Sequence, residues 1–213
     1  MSNPDRLYTE AEYLAREDAA PGKSEYVNGR VYAMSGASPS HDRIAANLHG
    51  QLYRQLRGRP CDNFTSDMRV KAVPTRAYFY PDATALRGEP EFQGTGAVRM
   101  LVNPSAVVEI LSASTEAFDR GAKFEHYRRI ATLQEYVLVA QDRAFVELRT
   151  RAGDAWTLRE FSRPGDLVPL ASVGCTLRLA DLYERVRFPA GGAPRAPRLV
   201  REEAGAGYAA AGG

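Results

Sequence analysis

The run Val107-Val108-Glu109-Ile110-Leu111 constrains what this chain can fold into more than any other stretch. A short, largely β-branched segment without polar alternation predicts a central strand covered on both faces. Glu109 stands in the middle of it. A carboxylate taken out of water needs a cation, a proton or a cluster of donors to compensate it, so the fold must bring something to this position. The segment Ala77–Leu86 also reads as a strand, with Tyr78, Tyr80, Asp82 and Thr84 on one face by the period of two. Pro81 is tolerated only at an edge or a bulge, so this strand should be distorted where Asp82 projects.

Lysine usage singles out a third residue. Of 28 lysines and arginines only Lys23, Lys71 and Lys123 are lysine, so the generic surface cation here is arginine. Lys123 falls on a predicted helix over 116–130, one turn from Asp119 and one from Tyr127. Its compact ammonium has a pKa that can be shifted, whereas a guanidinium does not. Two carboxylates on neighbouring strands and one lysine are the parts needed for metal-assisted phosphodiester hydrolysis. Hard carboxylate oxygens hold Mg²⁺, which neutralises phosphate and acidifies a bound water, and an ammonium orients that water or stabilises developing charge.

The order P-D at 81–82, E-x-L at 109–111 and a following lysine resembles the PD-(D/E)XK nuclease superfamily. It is more closely similar to a large bacterial family of uncharacterised restriction-endonuclease-like proteins. That second resemblance is carried also by S-E-Y-V-N-G-R-V-Y-A-M-S-G at 24–36, S-P-S-H at 38–41, T-S-D-M-R-V at 65–70, L-S-A-S-T at 111–115 and Q-E-Y-V-L-V-A at 134–140, and it covers roughly residues 7 to 186. It implies an α/β (α+β) fold with a restriction-endonuclease-like core, a mixed central sheet flanked by helices, to which a β hairpin and a C-terminal β meander are added. It implies Asp82, Glu109, Lys123 and Glu25 as catalytic residues. The ligands of a Mg²⁺ ion, for which Mn²⁺ can substitute, would be Asp82, Glu109, the carbonyl of Ile110 and Glu25, directly or through water. The chain departs from the superfamily in one place: Leu111 occupies the position two residues after the glutamate where the lysine usually stands. The resemblance moves that role to Lys123 on the next helix, with Tyr127 and Gln134 as candidates to support the site. DNA is the implied substrate, and a homodimer is expected by analogy with related nucleases.

The length of 213 residues suits one domain over 1–186, followed by a Gly-, Pro-, Ala- and Arg-rich tail over 187–213 that cannot bury enough apolar surface to order itself. The net charge of +2 comes wholly from that tail, which holds four arginines and two glutamates, so residues 1–186 are neutral. The totals therefore show no generally basic face. A local groove of Arg43, Arg54, Arg57 and Arg69 is the available route to a nucleic acid, against a solvated surface for each of them. No apolar run approaches a membrane span and no signal-peptide stretch opens the chain, which makes a cytoplasmic location the default. Cys61 and Cys175 lack metal-ligand spacing and read as buried thiols.

Along the chain, Thr9 and Glu12 form a capping box for a helix over 10–16. Glu25 to Tyr32 read as a hairpin turning at Asn28-Gly29. Ser38-Pro39 starts a helix to Arg57, with Ile44, Leu48, Leu52 and Leu56 at four-residue spacing and His41 in its first turn, where a substrate contact competes with a surface or capping role. Strands follow over 62–73 and 77–86, then a loop over 87–104 beside the site. Strand 105–111, helix 116–130, strand 135–140, the meander and a last helix over 179–186 complete the order. Ser112, Ser114 and Thr115 read as the cap of helix 116–130 rather than as a nucleophile. Singly, each acid has a plain structural reading: Glu109 paired with an interior arginine, Asp82 accepting backbone amides at a bulge. Lys123 likewise reads as exposed on its helix. A catalytically inactive nucleic-acid- or protein-binding module and a hydrolase of a smaller phosphoester remain alternatives to the nuclease.

Overall fold

A computed structural model describes residues 6–34, 36–94 and 99–188. Its centre is the strand anticipated from the sequence, β9 (Ala106–Leu111), all six residues of which are buried. Val107, Val108, Ile110 and Leu111 each contribute roughly 1.5–3 kcal/mol of burial, enough to outweigh the several kcal/mol of taking one ion from water. The strand therefore forms in spite of Glu109. It pairs in parallel with β10 (Glu135–Ala140) and antiparallel with β6 (Ala83–Arg87). Beyond these lie β3 (Cys61–Thr65) on one side, and β11 (Val146–Ala152) and β12 (Ala155–Phe161) on the other, in the order β12-β11-β10-β9-β6-β3.

A second mixed sheet is built from β1 (Ser24–Val27), β2 (Arg30–Ala33), β4 (Arg69–Ala72), β5 (Ala77–Phe79), β7 (Phe92–Gln93) and β8 (Met100–Leu101), in the order β2-β1-β5-β4-β8-β7. The hairpin β1–β2 turns at Asn28 (φ 50°) and Gly29 (φ 83°), the positive-φ pair that a two-residue turn demands. Glu25 opposes Tyr32 in this hairpin.

The long helix α2 (Pro39–Leu56) is capped by the Ser38 hydroxyl, which accepts from the His41 N–H. Its apolar stripe of Ile44, Leu48, Leu52 and Leu56 packs on Ala83, Ala85, Val108 and Ile110 together with the two-stranded β13 (Leu167–Leu170) and β14 (Cys175–Arg178). The opposite face of the central sheet offers Val107, Leu111, Tyr136 and Leu138 to Phe79 and Val70 of the second sheet and to Phe124 and Tyr127. Glu109 shares a face with Val107 and Leu111, so its side chain enters this second layer. The helix α1 (Glu10–Ala19) has the expected capping box and runs one turn beyond Arg16. Its Glu17 accepts hydrogen bonds from the Ser24 N–H (3.0 Å) and the Tyr80 hydroxyl (2.9 Å), tying α1 to β1 and to the Tyr80-Pro81-Asp82 bend.

Several sequence expectations are corrected. The strand over 77–86 is two strands in two different sheets, and Tyr80-Pro81-Asp82 is the crossing between them. The proline breaks the ladder outright instead of bulging it. Likewise β3 and β4 replace one strand over 62–73 and lie in separate sheets. The helix over 116–130 is α3 (Glu116–Phe118), a π-helical turn (Asp119–Lys123) and α4 (Phe124–Tyr127). The 87–104 stretch carries β7 and β8 at the edge of the second sheet, with its residues 95–98 outside the described residues. The last helix, α5 (Leu179–Leu182), is shorter than expected. Cys175 is buried but Cys61 only partly so. The tail expected over 187–213 lies outside the described residues from 189 onward.

Candidate active site

Four sequence-selected residues arrive from four elements. Glu25 comes from β1, Asp82 from the crossing, Glu109 from β9 and Lys123 from the last residue of the π turn. Three of them meet directly: Lys123 Nζ lies 2.8 Å from Glu25 Oε1 and 2.9 Å from Glu109 Oε1. Glu25 Oε1 also accepts the Tyr80 N–H at 3.2 Å, and Glu109 Oε1 accepts the Tyr127 hydroxyl at 3.2 Å.

Asp82 adjoins this group without touching the ammonium. Ala83, opposite Val108, is the last β6 residue paired with β9, and Asp82 enters just beyond it at the level of Ile110, whose N–H it accepts. The carboxylate is held at both oxygens: Oδ2 accepts the Ile110 N–H at 2.6 Å, and Oδ1 lies 3.2 Å from His41 Nε2. Asp82 thus takes the place in the β9 ladder that β6 has vacated. The N–H and C=O of one strand residue face the same neighbour, so the Ile110 carbonyl is directed to the Asp82 side as well. His49, two turns along α2 from His41, donates Nε2–H to the Asp82 carbonyl at 3.0 Å. One helix therefore secures both the backbone and the side chain of the crossing.

Sequence reasoning gave no role to Asp119. Its carboxylate lies 3.4 Å from Lys123 Nζ and its residue is 3% exposed. The D-x-x-x-K spacing was the available signal, but the same spacing marks ordinary surface ion pairs on helices. The plain reading of Lys123 as exposed does not hold, and Glu25 is buried with it: their side chains are 5% and 9% exposed. Glu109 is answered by this lysine and not by an arginine. Gln134 does not support the site: its amide donates to the Thr132 carbonyl. Ser112 accepts the Thr115 N–H and bonds the Ser114 and Thr115 hydroxyls, a local turn at the start of α3. Arg69 is 2% exposed, stacked over Tyr13 and Tyr80 and paired with Asp18, so it belongs to the interior and not to a nucleic-acid groove.

The electrostatics follow from one ammonium facing several acids. Burial pushes Glu109 well above the ordinary carboxylate range; Lys123 pulls it down, while Asp119, Asp82 and Glu25 push it further up. Glu25 is raised for the same leading reason, burial. Burial opposes the charge on Lys123, but Glu109, Glu25 and Asp119 outweigh it and hold the ammonium well above its usual value. Burial likewise opposes protonation of His41, and the Asp82 hydrogen bond and charge reverse that, leaving its pKa raised.

The oxygens that Asp82, Glu109 and the Ile110 carbonyl offer are of the hard kind that Mg²⁺ takes. Among the described residues the partners of Glu109, Lys123 and the Tyr127 hydroxyl, both meet Oε1, and Asp82 Oδ1 meets His41 alone. No group of three or more His, Cys, Asp and Glu suited to a metal occurs among the described residues. Two carboxylates with a backbone carbonyl match Mg²⁺, which keeps several of its waters, and do not match a cage-binding ion.

The sequence model of the Uma2 family, described as "Putative restriction endonuclease", matches residues 10–180. The chain belongs to the Uma2 family. Two relatives from Synechocystis sp., both named only as uncharacterized proteins, share 39% identity over 156 residues (73% of this chain, 88% of the relative) and 32% over 178 residues (83% and 92%). A crystal structure from Anabaena variabilis, described as "a putative nuclease belonging to DUF820", superimposes with a TM-score of 0.67 at 21% identity, covering 82% of this chain and 97% of that one. The α+β architecture expected from the sequence, mixed sheets flanked by helices, is thus the architecture this Uma2 protein shares with that neighbour. No helix among the described residues is long and apolar enough to cross a membrane.

Proposed function

We propose that this Uma2 protein is a Mg²⁺-dependent nuclease that hydrolyses DNA phosphodiester bonds at Asp82, Glu109 and Lys123. The observation that supports it most is the juxtaposition of two carboxylates, one at the entry to β6 and one on β9 whose partners both meet Oε1, beside a buried ammonium. Asp82 and Glu109, with the Ile110 carbonyl, would hold the cation, and Mn²⁺ would fit the same oxygens. When bound, the ion supplies a Lewis acid for the phosphate and a water of lowered pKa. Lys123, firmly protonated, orients the attacking water and faces the negative charge that develops on the phosphate. Glu25, ion-paired to Lys123, fixes it from the β1 side and would contribute to holding the cation directly or through a water. Tyr127 orients Glu109 through its hydroxyl. The family description supports a nuclease in general; DNA as substrate and cleavage within the strand are our extension of it.

One observation favours a second reading, that of a binding module without cleavage. Lys123 already occupies an oxygen of each of three acids, so the cluster has an internal counter-ion. Incubation with supercoiled, linear and single-stranded DNA plus Mg²⁺ or Mn²⁺, alongside Asp82→Ala and Glu109→Ala, separates the two. Cleavage by wild type that both variants abolish supports the nuclease. Equal cutting by all three proteins discards the assigned site. Calorimetric uptake of Mn²⁺ that depends on the two acids is expected of the nuclease and not of the binding module. The homodimer we infer by analogy is checked by light scattering.

A further inference from the structure

Asp119 is a buried acid that the proposed hydrolysis leaves without work. Three features of its surroundings set it apart from a helix-surface ion pair. It lies in a π-helical turn, a departure from α geometry that is frequent at functional sites. That turn is fixed from outside, since the Tyr136 hydroxyl donates to the Asp119 carbonyl at 2.9 Å and Arg149 donates to the Arg120 carbonyl at 2.9 Å. And Asp119 is the third acid on an ammonium already held more closely by Glu25 and Glu109, at 3.4 Å against 2.8 and 2.9 Å. A third buried negative charge is unfavourable beside the other two, and it raises both Glu25 and Glu109. The fold retains it nonetheless.

The three contacts are not equivalent once Glu109 serves as a ligand. A divalent cation on Glu109 would offset much of the charge by which that carboxylate attracts the ammonium, and would itself repel it. Glu25 and Asp119 then remain as the anchors of Lys123, one from β1 and one from the same turn. Glu25 alone, on the second sheet, would hold the ammonium from one side only. We infer that Asp119 is the positioning residue of Lys123, holding its ammonium at the edge of the acid pair when Glu109 is occupied. This inference rests on the nuclease reading for its catalytic consequence, but the placement of the ammonium can be read without catalysis.

The full chain contains three lysines, so ¹⁵N-lysine labelling yields three ammonium resonances. Lys123 is the most buried, with a side chain 5% exposed against 16% for Lys71 and 36% for Lys23. Its ammonium protons should exchange slowest with water, and Lys23→Arg and Lys71→Arg complete the assignment. Addition of Mg²⁺ should leave the Lys123 resonance protected in wild type. In Asp119→Asn the same addition should accelerate its exchange several-fold. DNA cleavage by Asp119→Asn should fall in kcat by on the order of 10- to 100-fold, the scale at which a misplaced group is felt. Its KM and Mg²⁺ affinity should stay within about twofold of wild type, and Asp119→Glu should restore part of both kcat and protection.

Wild-type exchange and kcat in Asp119→Asn would overturn the assignment. So would a loss of Mg²⁺ affinity in proportion to kcat, which would make Asp119 a ligand, or a Lys123 resonance blind to Mg²⁺ in every variant. If Asp119→Asn does not fold, Asp119→Glu carries the same comparison, with intermediate protection expected and unchanged protection counting against the role. Should wild type cut no DNA while Lys123 exchange responds as described, the nuclease reading fails and the positioning role stands. Cleavage without that response leaves the nuclease standing and removes the positioning role.

Discussion

Lys123 and Glu109 meet at 2.9 Å inside the protein, each with a side chain only 5% exposed. The ammonium cannot be removed without stranding buried acids, because Glu25 and Asp119 share it with Glu109. Replacing Lys123 by Met keeps most of the stem volume but leaves Glu25, Glu109 and Asp119 facing one another with no cation. Breaking a buried pair in this way costs about 3–5 kcal/mol. Urea unfolding in EDTA should show that loss as a lower midpoint at constant m-value. A change below about 1 kcal/mol would mean that the acids are neutral in the folded protein and the ion-pair description is wrong.

The raised carboxylates make stability depend on pH in a stated direction. Glu109 and Glu25 start from 4.5 when unfolded and are held higher in the native state. Across that window the native protein binds more protons than the unfolded chain, so stability falls as pH rises. His41, raised from 6.5, adds to the same slope: its contribution is full below 6.5 and lost as pH climbs through the higher native value. Lys123 remains protonated across the whole range and contributes no slope there. Glu135, raised by burial, adds to the slope, and His126, lowered by burial, opposes it below 6.5. Three carboxylates and His41 against one histidine leave a melting temperature in EDTA that should decline from about pH 5 to pH 8. Glu109→Gln should abolish cleavage and flatten that decline, gaining on wild type at pH 8 and matching it near pH 5. A wild-type melting temperature that rises over this interval would contradict the assigned shifts.

Much of this arrangement was legible in the sequence, and the failures share a cause. The four-residue spacing of Ile44, Leu48, Leu52 and Leu56 defined α2, Asn28-Gly29 defined the first hairpin, and the unbroken apolar run defined β9, because each pattern is imposed by local geometry. What was missed depends on partners distant in the chain. Periodicity runs through Tyr80-Pro81-Asp82 without revealing that its two sides join different sheets. The π turn adds no residue type that an α-helix would refuse, so Asp119 looked like half of a surface pair. Arg69 resembles the other 24 arginines until Tyr13 and Tyr80 are seen to enclose it. The acids at 82 and 109 stand out in the sequence because each contradicts its apolar or β-strand surroundings, a conflict that sequence displays directly.

The hairpin that delivers Glu25 gives a test of coupling between turn and site. Gly29 has φ +83°, and a Cβ there would lie 3.1 Å from Leu7 Cβ. Gly29→Ala meets both backbone strain and a contact that must yield, costing on the order of 1–3 kcal/mol. Because Glu25 pairs with Tyr32 across the same hairpin, any shift of β1 reaches the ammonium of Lys123. The expected result is a lower melting temperature together with a reduced kcat at saturating Mg²⁺. Loss of stability with full kcat would show that the turn and the site are independent.

The arginines of α2 predict how substrate affinity is distributed along that helix. Arg43 is exposed two residues from His41, which touches Asp82, whereas Arg57 is exposed at the other end. At about 1.5 Å per residue the two are separated by roughly 21 Å. The screening length is about 8 Å at physiological ionic strength. A phosphate in the site should therefore feel Arg43 and be nearly indifferent to Arg57. Arg43→Gln should weaken DNA binding several-fold in fluorescence anisotropy and lower the salt slope by about one. Arg57→Gln should leave both near wild type, as should Arg69→Met once any loss of folded protein is allowed for, because the Arg69 guanidinium is enclosed by Tyr13, Tyr80 and Asp18. Equal weakening by Arg43→Gln and Arg57→Gln would place the nucleic acid along the whole helix and not at its N-terminal end.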